Sequence, residues 1–163
     1  MQHRSVRRSA PTTNKARASA LRILAIRRLT ESQLWTKLER KGYDDAAIAD
    51  AVAACKRFGY LDDKLYASLY VEGARKAVGD ARLIADLVKR GIDRESAAHA
   101  VGIATHDQDT RIAAAYEKLV RTKASLSYPS AARALERLGF PTSLIYRTLR
   151  VHAQTAPGEA AYD

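Results

Sequence analysis

Three glycines, Gly42, Gly91 and Gly139, stand 49 and 48 residues apart, and the residues around them repeat. Eight positions before each glycine are Leu34, Leu83 and Ala131; four before are Leu38, Leu87 and Leu135. One position after are Tyr43, Ile92 and Phe140, six after are Ile48, Ala97 and Ile145, and ten after are Val52, Val101 and Leu149. All are apolar in a chain that is 47% hydrophobic, so the agreement reflects a repeat and not composition. Self-similarity at a fixed period of about 20–50 residues marks stacked helical units.

The period inside each unit is helical. Leu34 and Leu38, then Ile48 and Val52, follow i, i+4 spacing, and no segment alternates as a half-buried strand does. The punctuation agrees. Thr30-Glu31-Ser32-Gln33 has the form of a capping box, with Asp80 and Ser127 at similar places in the later units. The three glycines suit C-terminal caps, because glycine enters the left-handed region without a Cβ clash. Asp44, Asp93 and Thr142, the last after Pro141, are positioned to cap the helices that follow. Further helices at 15–28, 63–78 and 109–121 precede the glycine-capped ones. The expected fold is all-α: three tandem three-helix repeats stacked into a curved, elongated solenoid-like rod. The expected segments are a disordered basic arm at 1–14, repeats at 15–61, 62–108 and 109–151, and a disordered tail at 152–163.

Charge narrows the partners. The net charge is +10, of which residues 1–17 carry +5 with no acid, 18–61 carry +3, 62–108 carry −1 and 109–163 carry +3. A basic arm and a neutral middle suit contact with nucleic acid or an acidic protein surface at the ends of the molecule. The N-terminus is Arg- and Ser-containing like a transit peptide, but is read as an arm. It lacks the apolar core of a signal peptide. No apolar run approaches the roughly 20 residues of a membrane span. The single cysteine, Cys55, excludes an internal disulfide, reads as a small buried hydrophobe, and fits a reducing cytoplasm.

Chemistry-bearing patterns are absent. There is no phosphate loop and no GxGxxG. His3, His99, His106 and His152 show no metal-ligand spacing. His106-Asp107 lacks a nucleophile placed with it. Asp62-Asp63 reads as a helix start, since a metal would need further oxygen ligands. No catalytic residue, cofactor or metal is expected. Tyr66 and Tyr70, at i, i+4, suit an interhelix contact more than base stacking, Trp35 is expected to be half-buried, and Tyr128-Pro129 to fix a helix entry.

The candidate binding residues are cations. Arg40, Lys89 and Arg137 stand two before the register glycines, off the leucine stripe, with Lys37, Lys41, Arg90 and Arg133 nearby and Arg7 and Arg8 in the arm. Together they can form a stripe for phosphates or partner carboxylates. The plain alternative is that Lys and Arg complement the dipole in a helix's last turn.

Four phrases carry a family resemblance: ALRILAIRRLTESQLWTKLERKGY at 20–43, FGYLDD at 58–63, GDARLIADLVKRGI at 79–92 and YPSAARALERLGF at 128–140. In this order they resemble the RecX family of recombination regulators over residues 18–151. Gly79-Asp80 stands where the family often has Gly-Pro, and Leu138 replaces the cation found at Lys41 and Arg90. The resemblance implies a cytoplasmic bacterial protein without enzymatic activity. It implies a partner, the RecA recombinase filament on single-stranded DNA. Such proteins lie in the filament's helical groove, block its extension or promote its disassembly, and suppress ATP hydrolysis, strand exchange and co-protease activity. The cationic row is no family motif. A monomer is expected. The competing readings are a basic helical-repeat protein that binds DNA directly, non-specifically and without RecA, and a scaffold with neither partner.

Overall fold

A computed structural model describes residues 9–73, 77–104, 107–123 and 126–155. These residues form helices and no strand. In order they are α1 (Ser9–Ile26), α2 (Glu31–Glu39), α3 (Asp45–Arg57), α4 (Asp63–Glu72), α5 (Asp80–Val88), α6 (Arg94–Gly102), α7 (Gln108–Thr122), α8 (Tyr128–Arg137) and α9 (Thr142–Thr155). The order gives three helices per repeat, the all-α repeat fold expected from the period.

The register glycines account for the repeating turn. Gly42, Gly91 and Gly139 have φ of 83°, 90° and 86°, where a Cβ is strained. Around each, the same two hydrogen bonds close the preceding helix. The glycine N–H donates to Glu39, Val88 or Glu136 at 2.8–2.9 Å, and the next N–H donates to Leu38, Leu87 or Leu135 at 3.2–3.4 Å. The second is the six-to-one bond of a Schellman cap. Of the repeating apolar positions, all are buried except Tyr43, which is half-buried against the first core.

Contacts divide the chain into two compact units. The first holds the chain up to Tyr70 together with Leu87–Ala97, and the second holds Val71–Asp86 and the chain from Ala98 onward. The residues of the middle repeat are thus shared between two packing units. In the first unit Ala16 and Ala20 of α1 are packed in one core with Ala47, Ile48 and Ala51 of α3, and Leu34, Leu38, Val52, Cys55 and Leu61 complete it. Small residues allow the close helix approach that alanine faces provide. In the second unit Ile112 and Ala115 of α7 meet Ala131 and Leu135 of α8 and Phe140, Leu144, Ile145 and Leu149 of α9.

Local expectations met mixed outcomes. Thr30 forms the capping box, accepting from Gln33 N–H at 3.2 Å while Gln33 Oε1 accepts from Thr30 N–H at 3.3 Å. Asp44 and Asp93 cap α3 and α6 by accepting from Ala47 and Ser96 N–H at 2.8 Å. Ser127 does not cap α8 with its side chain; its hydroxyl donates to Ser130 Oγ instead. At α9 the first acceptor is the Pro141 carbonyl, and Thr142 is already helical.

Three boundaries differ from expectation. Helix α1 starts at Ser9, inside the stretch expected as a disordered arm. Pro11 falls in its first turn, where the missing N–H leaves no bond unmade, and alanines and long straight-chain residues follow. Helix α4 stops at Glu72, not 78, with Gly73 following. Past it the backbone of Val78 and Gly79 is held by tertiary bonds: Val78 O accepts from Arg111, and Gly79 N–H donates to Leu138 O at 2.9 Å. Helix α9 extends through 152–155, expected as tail, and His152 stacks on Tyr116 of α7 at 4.3 Å between centroids. Residues 1–8 and 156–163 lie outside the described residues.

Candidate functional site

The register cations follow from the turn geometry. Leu38, Leu87 and Leu135 face the core, so the residue two positions on, Arg40, Lys89 or Arg137, points outward and is exposed. Lys41 and Arg133 are also exposed, and Lys37 is half-buried. Arg90 differs, because its guanidinium lies 4.4 Å above the Tyr70 ring, a cation–π contact. Arg7 and Arg8 lie outside the described residues.

Within the first unit Lys37, Arg40 and Lys41 gather at the end of α2, and the Arg90 backbone lies at its start. The Arg90 carbonyl accepts from the Thr30 hydroxyl at the start of α2, whereas Arg40 follows its end. A nine-residue helix separates the two, about 14 Å along its axis. In the second unit Arg133 lines a groove of about 240 Å³ between α8 and α9 with Pro129, Glu136 and Tyr146. Tyr146 stacks on Tyr128 at 6.2 Å.

A second cationic surface emerges on α1. Lys15 and Arg22 line a groove with Asn14, Ala18 and Tyr43, and the Tyr43 hydroxyl donates to the Lys15 carbonyl at 3.2 Å. Arg17 turns the other way and holds Asp50 of α3 through two bonds of 2.5 and 2.7 Å. Those bonds keep the Asp50 carboxyl below the usual carboxylate range and raise the Arg17 guanidinium. The sequence signal for this surface was available: no Asp or Glu occurs before Glu31.

The acidic pair turns out to be structural twice over. Asp62 caps its own helix by accepting from Leu65 N–H at 2.9 Å. Asp63 reaches back and accepts from Glu31 N–H at 2.8 Å, so it caps α2. Burial pushes the Asp63 carboxyl up, and the Glu31 N–H bond opposes that shift. Burial likewise pushes the Cys55 thiol up, as fits its core position. Asp107 caps α7 through Thr110 N–H at 2.8 Å. Among the described residues no three His, Cys, Asp or Glu side chains group as a metal site. No described helix is long and apolar enough to cross a membrane.

Arg111 was not foreseen. It is 8% exposed, donates to Val78 O at 2.7 Å and Asp107 O at 3.2 Å, and pairs with Asp80. A buried cation in a row of apolar helix positions leaves no periodic trace, because its acceptors are mainly backbone carbonyls.

Comparison with known proteins adds the family. Residues 16–55, the α1–α3 unit less its ends, match the model of the RecX first three-helix domain. The regulatory protein RecX of Caldanaerobacter subterraneus is 38% identical over 82 residues, covering 50% of this chain and 42% of that relative. The regulatory protein RecX of Amycolatopsis mediterranei is 30% identical over 146 residues, covering 83% of this chain and 82% of that relative. The crystal structure of RecX from Lactobacillus salivarius superposes with a TM-score of 0.76 at 22% identity, covering 90% of this chain and 99% of that one. The fold is shared with that structure, and 30% identity with the Amycolatopsis relative over most of both chains leads to one assignment: this chain belongs to the RecX family of regulatory proteins.

Proposed function

We propose that this protein regulates homologous recombination in the cytoplasm by binding the RecA filament on single-stranded DNA. It lodges in the filament's helical groove, blocks extension or promotes disassembly, and so lowers ATP hydrolysis, strand exchange and co-protease activity without chemistry of its own. The observation that carries this reading is family membership along most of the chain. Exposed cations at equivalent positions, Arg40, Lys89 and Arg137, support it as contacts to acidic protein surface. Attachment to several protomers at once would let modest contacts suffice.

The test is DNA-dependent ATP hydrolysis by RecA titrated with this protein. Inhibition well below one copy per RecA is expected. Inhibition only at saturation of the DNA would remove the capping mechanism. The double variant Arg40→Glu, Lys89→Glu should inhibit less while keeping its helicity and melting temperature, because neither side chain is in a core. Unchanged inhibition would return those cations to a role in helix-end electrostatics.

A further inference from the structure

We propose that the exposed Gly42 turn of one copy receives the exposed start of α8 of a second copy, so that the protein self-associates head to tail. This does not depend on the recombinase reading.

The first argument is that the same junction is built twice inside the chain. In the first unit the start of α2 seats on the Gly91 turn. There the Thr30 hydroxyl donates to the Arg90 carbonyl, and a Cβ on Gly91 would overlap the Ser32 side chain. In the second unit the start of α5 seats on the Gly139 turn. There Gly79 N–H donates to the Leu138 carbonyl at 2.9 Å, and a Cβ on Gly139 would stand 2.6 Å from the Arg82 nitrogen. Both times the donor stands twelve before its own repeat's glycine, and the acceptor stands one before the glycine of the next repeat. Three repeats joined in this way use two helix starts and two turns. One turn and one start are left over: the Gly42 turn, and Ser127, twelve before Gly139.

The second argument is exposure. Thr30 and Gly79 are buried, whereas their counterpart Ser127 is exposed, as are Tyr128 and Pro129 after it. At the other end Lys41 is exposed, and a Cβ placed on Gly42 meets nothing within 4 Å. Among the described residues, no bond of the kind that reaches the Arg90 and Leu138 carbonyls reaches that of Lys41.

The third argument is fit. Ser127 carries a hydroxyl, as Thr30 does, and does not use it to cap α8; it donates to Ser130 Oγ at 2.9 Å. Rotation about one bond re-aims it at a carbonyl. The residues that press on the glycine are Ser32, ten before its own register glycine, and Arg82, nine before. In α8 those positions are Pro129 and Ser130, both compact and uncharged. Residues 127–132 carry no charge, and residues 37–45 hold three cations and three acids, so neither surface repels the other. Because the two surfaces differ, the contact is heterologous and not two-fold. It is also small, so its dissociation constant should be on the order of 100 µM. At dilution the monomer expected from the sequence prevails.

The experiment is sedimentation equilibrium of the full chain from about 10 µM to about 1 mM. Salt at about 0.3 M screens the charge that each copy carries. The average mass of the wild type should climb with concentration to that of a dimer and beyond. Gly42→Asn tolerates the positive φ and places a side chain where the helix start must seat. Ser127→Asp keeps a good N-cap and replaces the donor with a carboxylate. Each variant alone should stay monomeric throughout. An equimolar mixture of the two should form dimers and stop there, because it holds one sound turn and one sound start per pair. A wild type that is monomeric at about 1 mM, self-association that persists in either variant, or a mixture without dimers would each overturn the proposal. Circular dichroism checks the fold. If either variant loses helicity, oxidative cross-linking decides instead, with the native Cys55 buried. A Lys41→Cys chain mixed with a Ser127→Cys chain should give disulfide-linked heterodimers faster than either chain gives homodimers, and equal rates would sink the idea.

Discussion

The Thr30 hydroxyl donates to the Arg90 carbonyl across sixty residues of sequence. Thr30 stands twelve before Gly42, and Arg90 stands one before Gly91. The same relationship recurs one repeat on: Gly79, twelve before Gly91, donates its N–H to the carbonyl of Leu138, one before Gly139. At each place the start of one repeat's middle helix is closed by the glycine turn of the next repeat. A second bond reinforces it, from Glu31 N–H to Asp63 in one case and from Asp80 N–H to Gln108 at 3.3 Å in the other.

Thr30 should therefore be worth more than an ordinary cap. Its side chain is fully buried, accepts from Gln33 and donates to Arg90. Thr30→Val keeps the shape and removes both bonds. An expected loss of about 2–3 kcal/mol combines the cap with an orphaned carbonyl. Thr30→Ser should recover most of it in urea denaturation.

The glycines should not tolerate alanine equally. At Gly42 an added Cβ meets nothing within 4 Å, so Gly42→Ala suffers only the left-handed penalty, about 1–2 kcal/mol. At Gly139 the Cβ would stand 2.6 Å from the Arg82 backbone nitrogen, and at Gly79 it would stand 2.0 Å from the Gly139 carbonyl oxygen. Both backbones would have to move, so Gly139→Ala and Gly79→Ala should melt well below Gly42→Ala in a thermal scan.

Arg111→Met should be the most damaging charge removal in the second unit. It leaves the Val78 carbonyl without its donor and Asp80 without its cation. Asp80 keeps access to water, so the loss comes chiefly from the orphaned carbonyl, about 1–3 kcal/mol. Arg111→Lys should recover only part of this, since one ammonium cannot span the same acceptors. Equilibrium unfolding of both variants measures the difference.

Asp63 gives a pH signature. Its folded-state pKa is raised by burial, so the folded chain holds the proton more tightly than the unfolded chain. The associated stability is complete below the unfolded carboxylate value and is lost as pH rises through the folded value. At neutral pH Asp63→Asn should equal or exceed wild type, because the amide oxygen still accepts from Glu31. Any advantage should vanish on acidification through the carboxylate range. Asp63→Ala should lose about 1 kcal/mol at neutral pH as a missing cap. Melting temperatures from pH 3 to 7 separate the three proteins.

The repeat was legible because burial and turn geometry impose the same residue types at a fixed period. Leu38, Leu87 and Leu135 are all fully buried, and the glycines after them all take positive φ. The exposure of Arg40, Lys89 and Arg137 followed from that register. The junction was not legible, since its bonds use a Thr hydroxyl in one place and a Gly N–H in the other. Periodicity records side-chain type, and a backbone donor has none. Asp63 looked like a cap for its own helix because local spacing says nothing of a second helix start packed beside it. Lys15 and Arg22 lay in the helix expected at 15–28, but they stand outside the glycine register by which the candidate cations were chosen.

The open turn at Gly42 bears on how such a chain can grow. A tandem copy of 48 or 49 residues, inserted in frame ahead of the first repeat, would supply a middle-helix start for that turn to seat against. Lengthening by duplication would then need no newly invented interface. A family built this way can vary its number of modules while each module keeps the same handshake.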